Sequence, residues 1–228
     1  MRIRYDIKIL FLTFNRLRFT KASLKSLEEA KNRNKFQLII LDNHSKDKTR
    51  DFLLKHKLKL DYRVFFSDYN LGVDKAMNWF FQSFKADFYG KVDNDTIVPD
   101  FWLDNLLDEL LRYDLDIIGA RHFTFSERAK KNMEIVEKNK YPHISFVGGS
   151  GILIRKEFIE KFGLINIPDD MLLNNWTYHQ TRAIRQGARI SFSPSVFVSL
   201  LDFKDHFKKI KKFKKYDEWM EEVRKNSG

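Results

Sequence analysis

Apolar residues fall into short unbroken runs separated by stretches of helical spacing. Residues 7–14 (IKILFLTF) make a run of strand length, rich in Ile and Phe. Leu24, Leu27 and Ala30 then recur at helical spacing, with Thr20 as the expected N-cap. Residues 37–42 (QLIILD) read as a buried strand ending in the turn cluster Asp42-Asn43-His44-Ser45. Residues 62–66 (YRVFF) read as a third strand, and Val73, Ala76, Met77, Phe80 and Phe84 share one helix face. Residues 88–92 (FYGKV) are a strand that runs into Asp93-Asn94-Asp95. Pro99-Asp100 opens a helix carrying Leu103, Leu106, Leu107, Leu110 and Leu111, and residues 116–120 (DIIGA) form another strand.

Strands alternating with helices at this spacing predict an α/β fold with a mostly parallel central sheet flanked by helices. Runs without polar alternation suit strands covered on both faces. Ligands of such sheets bind at the carboxyl ends of the strands. Those ends carry Thr13–Arg16, Asp42–Ser45 and Asp93–Asp95, which are expected to face one crevice. The second half is less regular. Residues 121–146 are polar and basic, with Phe123, Phe125 and Tyr141, and read as a loop or partly helical flap. Gly148-Gly149-Ser150-Gly151 precedes a short strand and a helix ending at Gly163; residues 164–175 read as a loop. A helix from Trp176 to Gln186 closes at Gly187, and residues 188–193 and 196–200 read as two strands.

Composition narrows the classes. The chain has 228 residues, 43% apolar and 32% charged, which suits one globular domain or one domain with an appendage. It has no cysteine, so disulfides, zinc–thiolate sites and Cys nucleophiles are excluded. No run of 18 apolar residues suits a membrane-spanning helix, and the N-terminus does not read as a signal peptide. A cytoplasmic location is the expectation. The net charge is +11, and residues 204–215 alone hold seven Lys and one Asp, so more than half of it sits on one terminal segment. That distribution argues for a near-neutral body with a basic tail, and against a wholly basic nucleic-acid-binding domain.

Asp93-Asn94-Asp95 is the strongest chemical signal. Two carboxylates just past a buried strand can approach one divalent cation or one diphosphate; a polar turn is the alternative. Asp42-Asn43 either closes a turn or accepts a hydrogen bond from a base or ribose. Asn15 and Arg16 are open to a similar choice. The glycine cluster at 148–151 matches neither a P-loop nor G-x-G-x-x-G, and a flexible turn is its simpler reading. The six His are scattered without zinc spacing, and no G-x-S-x-G occurs.

Four stretches in order carry a family resemblance: Ile9 to Arg16, Leu38 to Asp47, Asn70-Leu71-Gly72 with Asn78, and Val92 to Thr96 with Pro99. Together they resemble family 2 glycosyltransferases of the GT-A fold. The likeness covers roughly residues 5–110, and Gly149 to Arg155 with Phe162-Gly163 still resemble the acceptor-side strand and helix. It implies a Rossmann-like nucleotide-binding half. Thr13, Phe14, Asn15, Arg16, Asp42, Asn43, Gly72, Lys75, Asp93 and Asn94 would then bind the donor nucleotide. Asp93 and Asp95 would bind Mg²⁺ or Mn²⁺, and Gly149, Ser150 and Trp176 would lie on the acceptor side. The donor would be a UDP-, dTDP- or GDP-linked sugar, the acceptor a saccharide or lipid-linked saccharide, and the anomeric centre would invert.

One departure matters. The family pattern places an acidic pair before an Arg that stands five residues before a Gly. Arg182 and Gly187 keep that spacing, but Asn175 and Trp176 occupy the acidic positions. Asp170 is the substitute base by position, with Asp169 and His179 as fallbacks. A second departure is Leu200 near the place of a late His. The rivals are a sugar-phosphate nucleotidyltransferase, whose Gly-rich loop is missing from 13–18, and a non-catalytic nucleotide-sugar or nucleic-acid binder. The expected organisation is a transferase domain at 1–202, split at about residue 120, and a tail at 203–228. In the tail, Phe203, Phe207, Ile210, Phe213, Tyr216, Trp219 and Val223 form one helical stripe flanked by Lys. That pattern suits docking on an anionic membrane, or packing on the body.

Overall fold

The structure, a computed structural model, describes residues 4–122, 142, 144–166 and 175–201. Its strands are β1 (Ile7–Thr13), β2 (Gln37–Asp42), β3 (Tyr62–Phe66), β4 (Phe88–Asp93), β5 (Thr96–Ile97), β6 (Ile117–His122), β7 (Ile152–Arg155) and β8 (Ile190–Leu200). The described helices are α1 (Leu17–Glu29), α2 (Thr49–Lys55), α3 (Gly72–Ser83), α4 (Trp102–Arg112), α5 (Lys156–Phe162) and α6 (Asn175–Arg185). The strand order is β3-β2-β1-β4-β7-β6-β8-β5. β1 lies between β2 and β4, parallel to both, and β3 extends the β2 edge in parallel. Beyond β4 the sheet is mixed: β7 is antiparallel to β4 and β6, β8 is parallel to β6, and β5 is antiparallel to β8.

Side chains of β1 alternate between the two faces. Ile7, Ile9 and Phe11 join a core with Leu24 and Leu27 of α1 and Leu103, Leu106 and Leu110 of α4. Leu10 and Leu12 join the opposite core with Met77 and Phe80 of α3, Phe158 of α5 and Ala183 of α6. Burial of each such side chain contributes about 1.5–3 kcal/mol. Two buried layers explain why this strand shows no polar alternation.

The structure departs from the sequence reading at several points. Helix α1 begins at Leu17, and Thr20 is not its cap: it is fully buried and bonds Thr13 Oγ1 at 3.0 Å. Helix α4 begins at Trp102, after Phe101 at φ 58°. The short elements α2 and β5 were not expected. Residues 190–200 form one strand where two were expected, because its register on β6 jumps from Phe192 to Phe197. Pro194, which lacks an N–H, sits in that bulge, where no ladder bond is needed. Ser193 Oγ closes the bulge by accepting from the backbone N–H groups of Ser195 and Val196, at 3.1 and 2.9 Å. Of the expected flap at 121–146, residues 123–141 and 143 lie outside the described residues, as do the loop carrying Asp169 and Asp170 and the tail at 203–228. Among the described residues no helix is long and apolar enough to cross a membrane.

Candidate active site

The ladders of β1 with β2 and β4 set Thr13 opposite Asp42, and Leu12 opposite Asp93. Three polar loops therefore start at the same height. Asn94 ties two of them together: its Nδ2 donates to Thr13 Oγ1 (3.1 Å), Thr20 Oγ1 (3.0 Å) and the Asn15 carbonyl (3.0 Å). Asn15 reaches the third. Its N–H donates to Ser45 Oγ at 2.7 Å, and its Oδ1 accepts from the Lys46 N–H at 2.7 Å. Asn43 then pins the entrance of α3, accepting from the Leu71 N–H and donating to Asn70 Oδ1, both at 2.8 Å. Asn15, Arg16 and His44 have φ of 56°, 63° and 71°. The left-handed region costs an L-residue about 1–2 kcal/mol. Three such residues persist here because the loops are bonded to one another.

The end of β4 is equally constrained. Lys91, only 2% exposed, donates to Asp93 Oδ1 and, at 2.6 Å, to the Gly149 carbonyl. Ser150 Oγ accepts from the Asp93 N–H at 2.9 Å and lies 2.7 Å from Thr96 Oγ1. Gly151 makes this possible: its φ is 67°, and a Cβ there would stand 3.1 Å from Ala120 Cβ. The glycine cluster is therefore a fixed turn that delivers Ser150 to the Asp93 backbone. Asp95 pairs with Arg16 at 3.2 Å. His122 Nε2 lies 3.3 Å from the Ser150 carbonyl. Burial lowers its pKa, against that hydrogen bond and the nearby charges of Asp93 and Asp95.

A cavity of about 540 Å³ opens among these loops, lined by both sides of the crevice: Phe14, Asn15 and Arg16, then Asn43, Gly72 and Asp93 to Asp95. A hollow of about 680 Å³ lies elsewhere, near Asp6, Lys8 and Asp61, without a carboxylate pair past a strand end. The other expected residues fall as follows. Thr13 and Asp42 are fully buried and are not on the lining. Asp42 Oδ2 accepts weakly from the Ser45 N–H (3.4 Å), while Oδ1 is buried without a partner among the described residues. Lys75 is exposed and not on the lining. Gly149 and Ser150 brace β4. Trp176 and His179 are core residues, 4% and 2% exposed. The His179 ring meets Phe158 edge-on and stacks on Trp176. Burial, with the Arg182 charge, lowers its pKa to about 4. Asp169 and Asp170 lie outside the described residues.

Two residues here were missed by the sequence reading. Lys91 carried a signal, a charge inside a buried strand. Asp74 carried none beyond its place in the first turn of α3. Asp74 Oδ2 accepts from Asn175 Nδ2 at 3.1 Å, joining α3 to the start of α6. Burial raises its pKa, against hydrogen bonds from Asn175 and Trp176 and the charge of Lys91.

Asp93 and Asp95 are hard oxygen donors of the kind Mg²⁺ and Mn²⁺ take. Among the described residues no three His, Cys, Asp or Glu side chains gather into a complete cage. Two such donors would leave the rest of a cation's shell to phosphate oxygens.

Comparison with known proteins agrees with this layout. The chain is 26% identical over 176 residues to chondroitin synthase of Pasteurella multocida, covering 72% of this chain and 18% of that protein. It is 30% identical over 119 residues to hyaluronan synthase of Pasteurella multocida, covering 51% of this chain and 12% of that protein. The chain thus spans less than a fifth of either relative. Among solved structures, it resembles the mannosyltransferase PcManGT of Pyrobaculum calidifontis in complex with GDP-Man and Mn²⁺, with TM-score 0.69, 19% identity and coverage of 86% of this chain and 57% of that one. It also resembles S. aureus TarS 1-349 in complex with UDP, with TM-score 0.66, 15% identity and coverage of 86% and 60%. The fold is that of the GT-A glycosyltransferases. The model of glycosyl transferase family 2 matches residues 9–163, a span that takes in the three loops, the Asp93-Asn94-Asp95 turn and the Ser150 brace, and the chain belongs to that family.

Proposed function

We propose that the protein transfers a sugar from a nucleotide-diphospho-sugar to a hydroxyl acceptor, with a divalent cation and with inversion at the anomeric carbon. The observation that carries this reading is the cavity where Asp93 and Asp95 meet the loops after β1 and β2. Asp42, fully buried beneath the cavity, supports the second loop from below through its bond from the Ser45 N–H. Phe14, 41% exposed at the cavity, offers a ring face for a base. Asn15 and Asn43 frame the same pocket, and the Arg16 guanidinium brings positive charge toward a diphosphate. Mg²⁺ or Mn²⁺ would be held by Asp95 with Asp93, and would supply Lewis-acid stabilisation of the departing diphosphate.

The complexes of PcManGT with GDP-Man and Mn²⁺, and of TarS with UDP and UDP-GlcNAc, support a GDP- or UDP-linked donor. The two synthase relatives support a saccharide acceptor. Inversion rests on the family resemblance. A thermal-shift panel of UDP-, dTDP- and GDP-linked sugars, with and without Mn²⁺, tests the reading. Saturation at about 100 times Kd adds about 2.7 kcal/mol, or roughly 5–10 °C for a chain of this size. One base class shifting the midpoint only with Mn²⁺ is the expected result. No shift with any donor overturns it.

A further inference from the structure

Transfer to a hydroxyl releases a proton; of the residues expected to take it, Asp169 and Asp170 lie outside the described residues and His179 is not at the cavity. His179 is in the core, Asn175 and Trp176 carry no carboxyl, and His122 stands beside the D-x-D carboxylates. Of the carboxylates near the cavity, Asp42 is fully buried, Asp93 is paired with Lys91 and Asp95 with Arg16. Asp74 stands apart from them. It is not itself on the lining, but it directly follows Gly72 and Val73, which are, and it is half-buried. Its carboxylate meets the first turn of α6 through Asn175, and it feels the charge of Lys91, the same residue that holds Asp93.

We propose that Asp74 is the catalytic base of the transfer, a carboxylate carried by α3 in place of one on α6. The proposal rests on the glycosyltransferase reading above. The acceptor oxygen forms its bond to the anomeric carbon as the bond from that carbon to the diphosphate oxygen breaks. The hydroxyl proton passes to the Asp74 carboxylate, and the nucleoside diphosphate leaves with the bonding electron pair. Asn175, at a position where the family pattern is acidic, turns its amide to Asp74 and fixes the carboxylate. Among the described residues the charge that acts on Asp74 is that of Lys91, which favours the ionised form, whereas burial opposes it and prevails. A carboxyl moved up toward neutral pH is a better proton acceptor than one at its ordinary value. A purely structural role, as a cap for α6, needs only an acceptor oxygen, which an amide also provides.

The test uses the full chain with Mn²⁺ and measures nucleoside diphosphate release from UDP-GlcNAc and GDP-mannose, with water and methyl glycosides as acceptors. Calorimetry measures the affinity for the donor that is used. Asp74→Asn is expected to lower the rate by ~10²–10⁴-fold at unchanged donor affinity and undiminished thermal midpoint. It should also abolish the acidic limb of the rate–pH profile, and Asp74→Glu should restore part of the rate. A rate within a few-fold of wild type in Asp74→Asn overturns the proposal, as does a large loss found in Asp170→Asn but not in Asp74→Asn. If the wild-type chain binds neither donor and releases nothing, the function reading falls and this inference falls with it. If it binds a donor and turns it over, failure of the Asp74 arm touches the base assignment alone.

Discussion

The loops around Asp93 and the first turns of α6 are joined through Lys91 and Asp74, yet they treat their polar groups in opposite ways. On the D-x-D side, Asn94 makes three hydrogen bonds, Ser150 bridges a backbone N–H and a hydroxyl, and a buried Lys is matched by a carboxylate and a carbonyl. On α6, Asn175 Oδ1, Trp176 Nε1 and both His179 ring nitrogens are buried without a partner among the described residues. A satisfied buried network holds one geometry, whereas each unmatched buried polar group costs about 1–3 kcal/mol. The Asp93 loops are thus the more tightly bonded side, with Asp42 Oδ1 as their exception, whereas the start of α6 leaves four buried polar atoms unmatched among the described residues.

Four substitutions or truncations separate the two sides, in order of effect. Asp95→Ala removes a cavity carboxylate from a loop that folding does not need. It should reduce Mn²⁺-dependent nucleotide-sugar affinity by at least about 100-fold with the fold intact, the order of loss seen when ligand-shell groups are removed. Calorimetry showing unchanged Mn²⁺-dependent affinity would remove Asp95 from the binding site. Next, Asn94→Ala deletes three bonds, each with a net contribution of about 1 kcal/mol, so urea unfolding should show a loss of about 2–3 kcal/mol. A loss under about 0.5 kcal/mol would mean the D-x-D side is not the more tightly bonded one.

His179→Leu should behave in the reverse sense. Replacing an imidazole that has no hydrogen-bond partner among the described residues, packed between Phe158 and Trp176, should leave stability at pH 7 unchanged or raise it by up to about 1 kcal/mol. The folded-state pKa is depressed to about 4 from the ordinary 6.5. Wild-type stability from this group is therefore present above pH 6.5 and lost as the pH falls through about 4. The variant should show a flatter fall across that window. An unchanged acid limb would contradict the buried, neutral ring. The smallest effect concerns the basic tail, which lies outside the described residues. Full-length protein should pellet with anionic liposomes at low salt, and a chain truncated after Asp202 should not. Equal pelleting of both would exclude the tail as a membrane anchor.

The same contrast governs what could be read from the sequence. The D-x-D side is assembled from three strand ends, each followed at once by its polar residues, so the strand pattern also located Asn15, Arg16, Asn43 and Asp95. Thr13 and Asp42 were found by the same rule, but they fall beneath the cavity because their side chains point inward at the ladder's last rung. Asp74 was missed because its role depends on Asn175, 101 positions later, and no local pattern encodes such a meeting. Lys75 was expected at the donor from the family resemblance, and the turn of α3 leaves it exposed and off the lining. His179 looked like a fallback base because sequence does not report burial. The bulge at Pro194 hid in two apparent strands for a related reason: a one-sided jump in register leaves no mark on hydrophobic periodicity.

The central place of β1 also sets an order of events for the newborn chain. β1 emerges before both of its neighbours but completes its second edge only with β4, some eighty residues later in the ladder that pairs Ile7 with Phe88. Until then a strand of Ile, Leu and Phe has one open hydrogen-bonding edge and two apolar faces. Such an edge is a template for pairing with other chains, and closing so long a loop is slow compared with local folding. Fragments ending before Phe88 should therefore aggregate rather than fold, and the binding loops take shape only when synthesis has passed Asp95.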